Sequence, residues 1–243
     1  MNLILDIGNT LAKVAIVENQ NIVYSQSHDG IVLNDIKDVA RNYDVHKCII
    51  SIVGKTNSEI INFLKANYST IILNAETKLP IKNLYSTPET LGYDRIAVAV
   101  GANYLYPNRN TLVIDAGTAI TYELTTAQGE YKGGAISPGV SLRFKALNDH
   151  TAKLPYLEKT DKYPTIGQTT NDCIRAGVLN GVVNEIDGYI DQIKTISPDI
   201  CILLTGGDSN FFASKLKNSI FVNQNLMAIG LNRILDFNIA LNH

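Results

Sequence analysis

Cysteine is scarce in this sequence, and an excess of basic charge is missing. The 243 residues contain three cysteines, Cys48, Cys173 and Cys201, which lie far apart in apolar stretches without a C-x-x-C pair. This pattern excludes a disulfide framework and a cysteine zinc site, and it is typical of core thiols in a reducing cytosol. The 21 Lys and Arg residues nearly balance the 23 Asp and Glu residues. The composition therefore indicates neither a nucleic-acid partner nor a membrane-surface partner.

Long hydrophobic runs and targeting signals are also missing. No stretch of the sequence reaches the ~18 apolar residues of a membrane span. Met1-Asn2 leads directly into an apolar run without a basic leader. The sequence therefore predicts a cytoplasmic protein with no membrane partner. Because 45% of the residues are hydrophobic and 18% are charged, the chain can bury a sizeable core, in one large or two small domains.

Several common catalytic motifs are absent or incomplete. No G-x-S-x-G elbow supports a hydrolase triad, and the four histidines show no metal-ligand spacing. Gly54-Lys55-Thr56 matches the end of a phosphate-binding P-loop, but that motif needs a glycine where Ile49 stands. We therefore interpret this segment as a loop before a helix.

Two acidic turns are the most informative features present. Asp6-Ile7-Gly8-Asn9-Thr10 follows the apolar run Leu3–Leu5, and Asp115-Ala116-Gly117-Thr118-Ala119 follows Thr111–Ile114. In each, a strand ends in a carboxylate that can hold a cation, and glycine lets the backbone approach a ligand. The N–H groups and the Thr hydroxyl can then bind phosphate oxygens. A purely structural hairpin turn is the alternative for each turn alone, but the pair favours a nucleotide phosphate site.

The pattern of elements repeats in the two halves of the chain. Strands are predicted at Leu3–Ile7, Ala12–Val17, Ile22–Ser27, Lys47–Val53, Thr70–Leu73, Leu112–Asp115, Ile120–Leu124, Tyr131–Ile136, Ile200–Leu204 and Ser219–Val222. Helices are predicted at Ile31–Tyr43, Ser58–Tyr68, Gly92–Tyr106, Gly139–Leu147, Asn171–Ile193 and Leu226–Phe237, with a short helix after Asp208. Pro107-Asn108 marks the best boundary. The sequence predicts an α/β protein with domains 1–108 and 109–243, each with a mixed sheet.

Three further segments have both a functional and a structural interpretation. Thr205-Gly206-Gly207 could lie against an adenosine group or form a simple strand-to-helix turn. The glycine-rich segment 133–139 could bind an anion at a helix start or form a tight turn. Gly92-Tyr93-Asp94-Arg95 could supply a general base and a cation beside an anionic substrate. An acid in a first helical turn also suits the helix dipole.

Taken together, these motifs resemble type III pantothenate kinases, members of the acetate kinase, sugar kinase, Hsp70 and actin superfamily. The resemblance covers nearly the whole chain. Besides the segments above, it rests on Tyr85, Thr151-Ala152-Lys153-Leu154-Pro155 and Ile166-Gly167-Gln168-Thr169-Thr170. It implies two actin-like (ribonuclease H-like) domains, each with a mixed sheet flanked by helices and with a cleft between them. It also implies ATP-dependent phosphorylation of pantothenate, the first step towards coenzyme A.

The resemblance also implies a role for each matching residue. Asp94 would be the general base, and Asp115 would bind the monovalent cation, potassium or ammonium. Asp6 would lie near Mg²⁺, and Thr118 would touch ATP. The ATP phosphates would be lined by Asp6, Ile7, Gly8, Asn9, Thr10, Leu11, Ala12 and Lys13. Pantothenate would be held by Tyr85, Gly92, Tyr93, Asp94, Arg95 and Thr170.

Some points stay open within the resemblance. The family forms homodimers, and Thr170 would reach pantothenate from the other subunit, although the neighbouring Thr169 could take that role. Lys13 could instead be a solvated strand lysine. Tyr93 stands where a small residue is common, and Glu123 stands where the family often has Asp. The alternatives are another small-molecule kinase, or a non-catalytic nucleotide-binding regulatory protein with an actin-like fold.

Overall fold

The fold is known from a computed structural model that describes residues 1–8, 11–52 and 58–241. In chain order, its strands are β1 (Asn2–Ile7), β2 (Ala12–Glu18), β3 (Asn21–His28), β4 (Lys47–Ile52), β5 (Ser69–Ile72), β6 (Lys82–Asn83), β7 (Thr111–Ala116), β8 (Ala119–Thr125), β9 (Glu130–Pro138), β10 (Cys201–Thr205) and β11 (Phe221–Val222). Its α-helices are α1 (Leu33–Arg41), α2 (Ser58–Asn67), α3 (Tyr93–Leu105), α4 (Val140–Asp149), α5 (Thr170–Arg175), α6 (Gly181–Ile196), α7 (Ser209–Ala213) and α8 (Leu226–Leu241). Gly54-Lys55-Thr56 lies outside the described residues.

The chain divides into two compact units. The first contains residues 1–108, 125–133 and those from 225 onward, and the second contains 109–124 and 134–224. The chain therefore returns to the first unit through α8. The domain limits expected from the sequence, 1–108 and 109–243, stay a prediction, because compactness alone does not make a segment fold independently.

The two mixed sheets repeat one strand order. The first sheet has the order β3-β2-β1-β4-β5, and the second has β9-β8-β7-β10-β11 with β6 added beside β9. β1 is antiparallel to β2 and parallel to β4, and β7 is likewise parallel to β10. Helices accompany both sheets, so the predicted α/β class and the repeated element order are confirmed.

Each unit has its own apolar core. In the first, the central strand β1 buries successive residues such as Leu3, Ile4 and Leu5 on both faces. In the second, β7 does the same with Leu112–Ile114. A strand covered on both faces needs such a continuous apolar run. A polar residue that follows such an apolar run therefore lies at the edge of the sheet, on a strand that the core holds in place.

The structure corrects some expectations. Residues 78–91, where the sequence predicts neither a strand nor a helix before Gly92, contain the short strand β6. It pairs in parallel with β9, since Lys82 N–H donates to Gly129 O and Leu84 N–H to Tyr131 O. The long helix predicted over Asn171–Ile193 contains a π-helical turn at Ala176–Asn180 between α5 and α6. Cys48 and Cys201 are buried, but the core interpretation is wrong for Cys173, which is exposed on α5.

The described helices include none that combines the length and the apolar character needed to cross a bilayer.

Candidate active site

The first acidic turn begins at the end of β1. Asp6 lies opposite Lys13 on β2 and opposite Ser51 on β4. The turn closes where Gly8 N–H donates to Leu11 O at 3.0 Å, and a Cβ on Gly8 would lie 3.0 Å from the same oxygen. The predicted site residues Asn9 and Thr10 lie outside the described residues. Ile7 and Ala12 are buried, while Leu11 is exposed.

The carboxyl group of Asp6 is in a strained electrostatic environment. Burial, and after it the charge of Asp94, raise the pKa of Asp6 from 3.8 to about 6, against the opposing effect of Lys13. Ser51 lowers that pKa, although its buried hydroxyl has no hydrogen-bond partner among the residues that the structure describes. Within the described part of the chain, the buried Oδ1 of Asp6 has no hydrogen-bond partner. An orphaned carboxylate oxygen is the kind of ligand that Mg²⁺ prefers, so the site fits a divalent cation.

Asp94 is placed by the start of α3. Gly92 precedes the helix, Tyr93 opens it, and Asp94 lies in its first turn. Asp94 Oδ1 accepts a hydrogen bond from Arg95 N–H at 2.8 Å. A Cβ on Gly92 would lie 2.4 Å from that same Oδ1, so glycine leaves room for the carboxylate. A carboxylate in the first turn of a helix suits the helix dipole.

Arg95 and Tyr85 form the other side of this part of the site. Arg95 is only 6% exposed, and its guanidinium carbon lies 5.5 Å from the centre of the Tyr85 ring. The Tyr85 ring in turn lies 6.2 Å from that of Tyr131. Gly133 has a left-handed φ of 90°, and a Cβ there would lie 3.0 Å from the Tyr85 ring. A buried cation beside an aromatic face can hold an anionic ligand.

Helix α3 is fixed against α8 by contacts between their main chains. A Cβ on Gly230 would lie 1.8 Å from Ala97 O, and one on Gly101 would lie 2.4 Å from Leu226 O. Such close approach is possible only without side chains at the crossing. The crossing sets the position of α3 and therefore of Asp94.

The second acidic turn lies in the second unit, at the end of β7. Asp115 lies opposite Thr205 on β10, the position that Ser51 has relative to Asp6. Gly206 has a φ of 91°, and a Cβ there would lie 2.4 Å from both Asp115 Oδ1 and Ala116 O. Asp208 N–H donates to Ala116 O at 2.9 Å. The glycine turn after β10 is therefore packed directly on the acidic turn.

The start of α4 packs on the same acidic turn. Gly139 N–H donates to Thr118 O at 3.0 Å, and a Cβ on Gly139 would lie 2.2 Å from Gly117 O. The glycine-rich segment is not a tight turn, since residues 130–138 form β9. Its glycines instead allow close approach, because a Cβ on Gly134 would lie 1.5 Å from Tyr122 O.

The two threonines of the last motif differ in their contacts. Thr169 caps α5: its hydroxyl accepts from Asp172 N–H at 3.2 Å and donates to Asp172 Oδ2 at 2.8 Å. Thr170 is the exposed first residue of the helix. This difference favours Thr170 as the residue that meets a ligand.

The predicted site residues fall into separate groups in the structure. The structure brings together Asp6, Lys13 and Asp94, and it places Arg95 against Tyr85. Asp115, Thr118 and Thr170 lie in the second unit. Ser51 and Tyr131 were missed, although a serine inside the apolar run of β4 was a usable signal. No group of three or more His, Cys, Asp or Glu side chains suited to a metal occurs among residues 1–8, 11–52 and 58–241.

Comparison with known protein families gives one consistent result. The family model described as type III pantothenate kinase matches residues 2–192. A type III pantothenate kinase of Bacteroides fragilis is 44% identical over 239 residues, covering 98% of each chain. One of Christiangramia forsetii is 42% identical over 246 residues, covering 98% of this chain and 99% of its own.

Solved structures with the same fold are more distant in sequence. A conserved protein of Campylobacter jejuni, proposed to be a Baf family transcriptional activator, has a TM-score of 0.63 at 22% identity and covers 98% of this chain and 99% of its own. A proposed N-acetylmannosamine kinase of Listeria monocytogenes has a TM-score of 0.58 at 14% identity, with 98% and 99% coverage. These likenesses confirm the predicted actin-like and sugar-kinase type of fold.

Proposed function

This chain belongs to the type III pantothenate kinase family, and we propose that its described side chains carry out that chemistry as follows. The enzyme transfers the terminal phosphoryl group of ATP to the primary hydroxyl of pantothenate, giving 4′-phosphopantothenate and ADP at the start of coenzyme A biosynthesis. The observation that carries the assignment of the site is the electrostatic coupling of Asp6 and Asp94. It brings a cation ligand and a candidate base into one polar environment.

Asp94 is the proposed general base. In a loose phosphoryl-transfer transition state the hydroxyl proton leaves late, so an aspartate can accept it. The hydrogen bond from Arg95 N–H to Oδ1 holds the Asp94 carboxylate at the start of α3. Fixed orientation of the base towards the hydroxyl contributes to the rate, because less orientation is lost at the moment of transfer.

The first acidic turn is the proposed site of the ATP phosphates. The residues of this turn and the ammonium group of Lys13 would bind phosphate oxygens. Mg²⁺ bound there would neutralise phosphate charge. Asp6 is its proposed protein ligand, because its buried Oδ1 lacks a hydrogen-bond partner among the described residues. Burial, and after it the charge of Asp94, raise the pKa of Asp6, and a bound cation would offset both effects.

The second acidic turn is the proposed site of a monovalent cation. We assign potassium or ammonium to Asp115, and an ATP contact to Thr118. The support is chemical: Asp115 Oδ1 and the main-chain oxygen of Ala116 both lie close to Gly206, two oxygen atoms can bind a singly charged cation, and Gly117 leaves a ligand room. Replacement of potassium by sodium in the assay should therefore lower the activity.

Pantothenate is proposed to bind at the start of α3. Arg95 attracts its carboxylate, and Tyr85 orients that guanidinium through its ring face. Gly92 and Tyr93 line the same region, and Thr170 contributes across a homodimer interface. We further propose that the enzyme works in the cytoplasm as a homodimer.

The central test is a coupled assay of ADP release with pantothenate, Mg²⁺ and potassium. Asp94→Asn should lower kcat by about 10²–10⁴-fold, since proton acceptance is lost. Asp38→Asn is the matched control, because Asp38 is exposed and pairs only with the nearby Arg41 in the described contacts. A rate near that of the wild type in Asp94→Asn would contradict the assignment of the base. ATP binding without pantothenate-dependent ADP release by the wild type would instead favour a non-catalytic regulatory protein.

A further inference from the structure

The carboxylate of Glu185 on α6 is the centre of a polar cluster that the proposed function does not use. Its Oε1 accepts hydrogen bonds from Tyr122 Oη at 3.0 Å and from Ser137 Oγ at 2.5 Å. Its Oε2 accepts from an Nη of Arg143 at 2.5 Å. One side chain therefore joins α6 to β8, to the end of β9 and to the start of α4.

Charge and burial make this cluster rigid. Burial alone would raise the pKa of Glu185, but the bonds from Arg143 and Ser137 outweigh it and hold that pKa below its usual value. The pKa of Tyr122 is raised by burial and then by the charge of Glu185. Near neutral pH, Glu185 is thus charged and Tyr122 is a hydrogen-bond donor. Charge-assisted bonds of this kind are about twice as strong as neutral ones.

Hydrogen bonds connect the cluster to the second acidic turn through the main chain of residues 138–139. Arg143 Nε donates to Pro138 O at 2.8 Å, so Arg143 and Glu185 together fix the residues just before Gly139. Gly139 lies on the acidic turn, with its N–H bonded to Thr118 O at 3.0 Å. A shift of the segment 137–139 would therefore move the main chain that carries Thr118.

We propose that Glu185 is a positioning residue that fixes the turn Asp115–Thr118 through Ser137 and Arg143. The proposal rests on the proposed function in one respect, since that function assigns ATP and a monovalent cation to this turn. Residues that hydrogen-bond to ligand-binding groups without touching the ligand are important: their mutation typically lowers affinity or activity about 10–100-fold.

The test is Glu185→Gln, measured both by binding and by turnover. The ATP dissociation constant from calorimetry, the ATP KM and the half-saturating potassium concentration should each rise about tenfold. The pantothenate KM should stay within about twofold, because Tyr85 and the start of α3 belong to the first unit and the described bonds of Glu185 do not involve Thr170. A merely structural role would lower the fraction of active protein, which reduces kcat and leaves both KM values unchanged.

Two additional variants make the result decisive. Asp191→Asn is the matched control on the same helix, because Asp191 loses a lysine partner, Lys217 at 2.7 Å, without a contact to residues 137–143 in the described bonds. Its ATP constants should equal those of the wild type. Arg143→Gln should reproduce the effect of Glu185→Gln, and the double variant should be little worse than either, since both break one linkage.

The outcomes separate the two proposals. If Glu185→Gln does not fold, Ser137→Ala removes a single donor to Glu185 on the proposed route and should show a smaller rise in the same ATP constants. Unchanged ATP binding in the folded variants, or an equal rise for both substrates, would overturn the positioning role. Absence of pantothenate-dependent ADP release in the wild type would contradict the proposed function, while the calorimetric comparison would still test Glu185.

Discussion

The two acidic turns have the same place in their sheets but different supports. Asp6 is surrounded by ionisable side chains, with Asp94 and Lys13 acting on its charge. Asp115 instead meets closely packed main chain, with Gly206 on one side of its turn and Gly139 on the other. On the neighbouring parallel strand, each aspartate lies opposite a hydroxyl residue: Ser51 for Asp6 and Thr205 for Asp115.

This difference indicates that the same strand followed by an acidic turn can hold its carboxylate in two kinds of environment. In the first unit, the environment of the carboxylate depends on burial, on the charges of Asp94 and Lys13, and on the distant crossing of α3 and α8 that places Asp94. In the second, it is set by the shape of neighbouring turns, for which glycine is needed. Added Cβ atoms should therefore affect the second turn directly, whereas removal of a charge should affect the first.

The largest expected effect comes from Gly206→Ala. Its φ of 91° is costly for any residue with a Cβ, and that Cβ would lie 2.4 Å from Ala116 O. Strain and overpacking together should lower the free energy of unfolding by about 3 kcal/mol. The ATP KM should also rise, since the acidic turn must move. Chemical denaturation and the ADP-release assay measure the two effects.

The adjacent Gly207 supplies the control. A Cβ on Gly207 would meet no atom of the described residues within 4 Å, and its φ is not left-handed. Gly207→Ala should therefore change stability by less than about 0.5 kcal/mol. Equal effects of the two substitutions would break the comparison, because the second turn would then not depend on close packing at Gly206.

A smaller loss of stability is expected at the crossing of α3 and α8, which sets the position of Asp94. In Gly230→Ala the new Cβ would lie 1.8 Å from Ala97 O, so α3 and α8 must separate. Overpacking should cost about 2 kcal/mol after the gain in helix propensity, and kcat should fall as Asp94 moves. Gly188→Ala on α6 is the control, since nothing lies within 4 Å of its Cβ and propensity alone should stabilise the helix by up to about 1 kcal/mol. A stable, fully active Gly230→Ala enzyme would show that the crossing does not position Asp94.

The strands and turns around Asp6 and Asp115 could be predicted from the sequence, because the patterns that indicate them lie within a few residues. The apolar run before Asp6, the one before Asp115 and the glycine after each determine a strand and a turn without distant information. The start of α3 was equally local, since Gly92 and Asp94 are two residues apart. Each of these segments combines a recognisable pattern, a glycine beside a strand or helix end, with a carboxylate that the proposed chemistry requires.

The remaining features depend on distant contacts. The return of α8 to the first unit depends on Gly230 meeting Ala97, more than a hundred residues away. Glu185 is one acid on an amphipathic helix in the sequence, and only the fold brings it to Ser137 and Arg143. Likewise, β6 forms because β9 offers it an edge. Local pattern cannot encode such pairings.

The smallest effect has the opposite sign and concerns charge in the first turn. Asp6→Asn should stabilise the metal-free protein in EDTA while lowering kinase activity, because it removes a buried carboxylate that Mg²⁺ would need. The rise of the Asp6 pKa from 3.8 to about 6 corresponds to about 3 kcal/mol. An asparagine amide in the same place also costs free energy to bury, about 2 kcal/mol, so we expect a gain of about 1 kcal/mol near pH 8.

The pH dependence of this gain separates charge from packing. Because the folded state raises the pKa of Asp6, the wild type keeps the full stability of the protonated group below about pH 4 and loses it as the pH rises through about 6. Asparagine does not titrate, so the advantage of Asp6→Asn should be absent at pH 4 and complete above pH 7, as measured by urea unfolding at each pH. Asp38→Asn, at an exposed position, should show no such trend. A gain of equal size at every pH would mean that shape, and not charge, determines the environment of the first turn as it does that of the second.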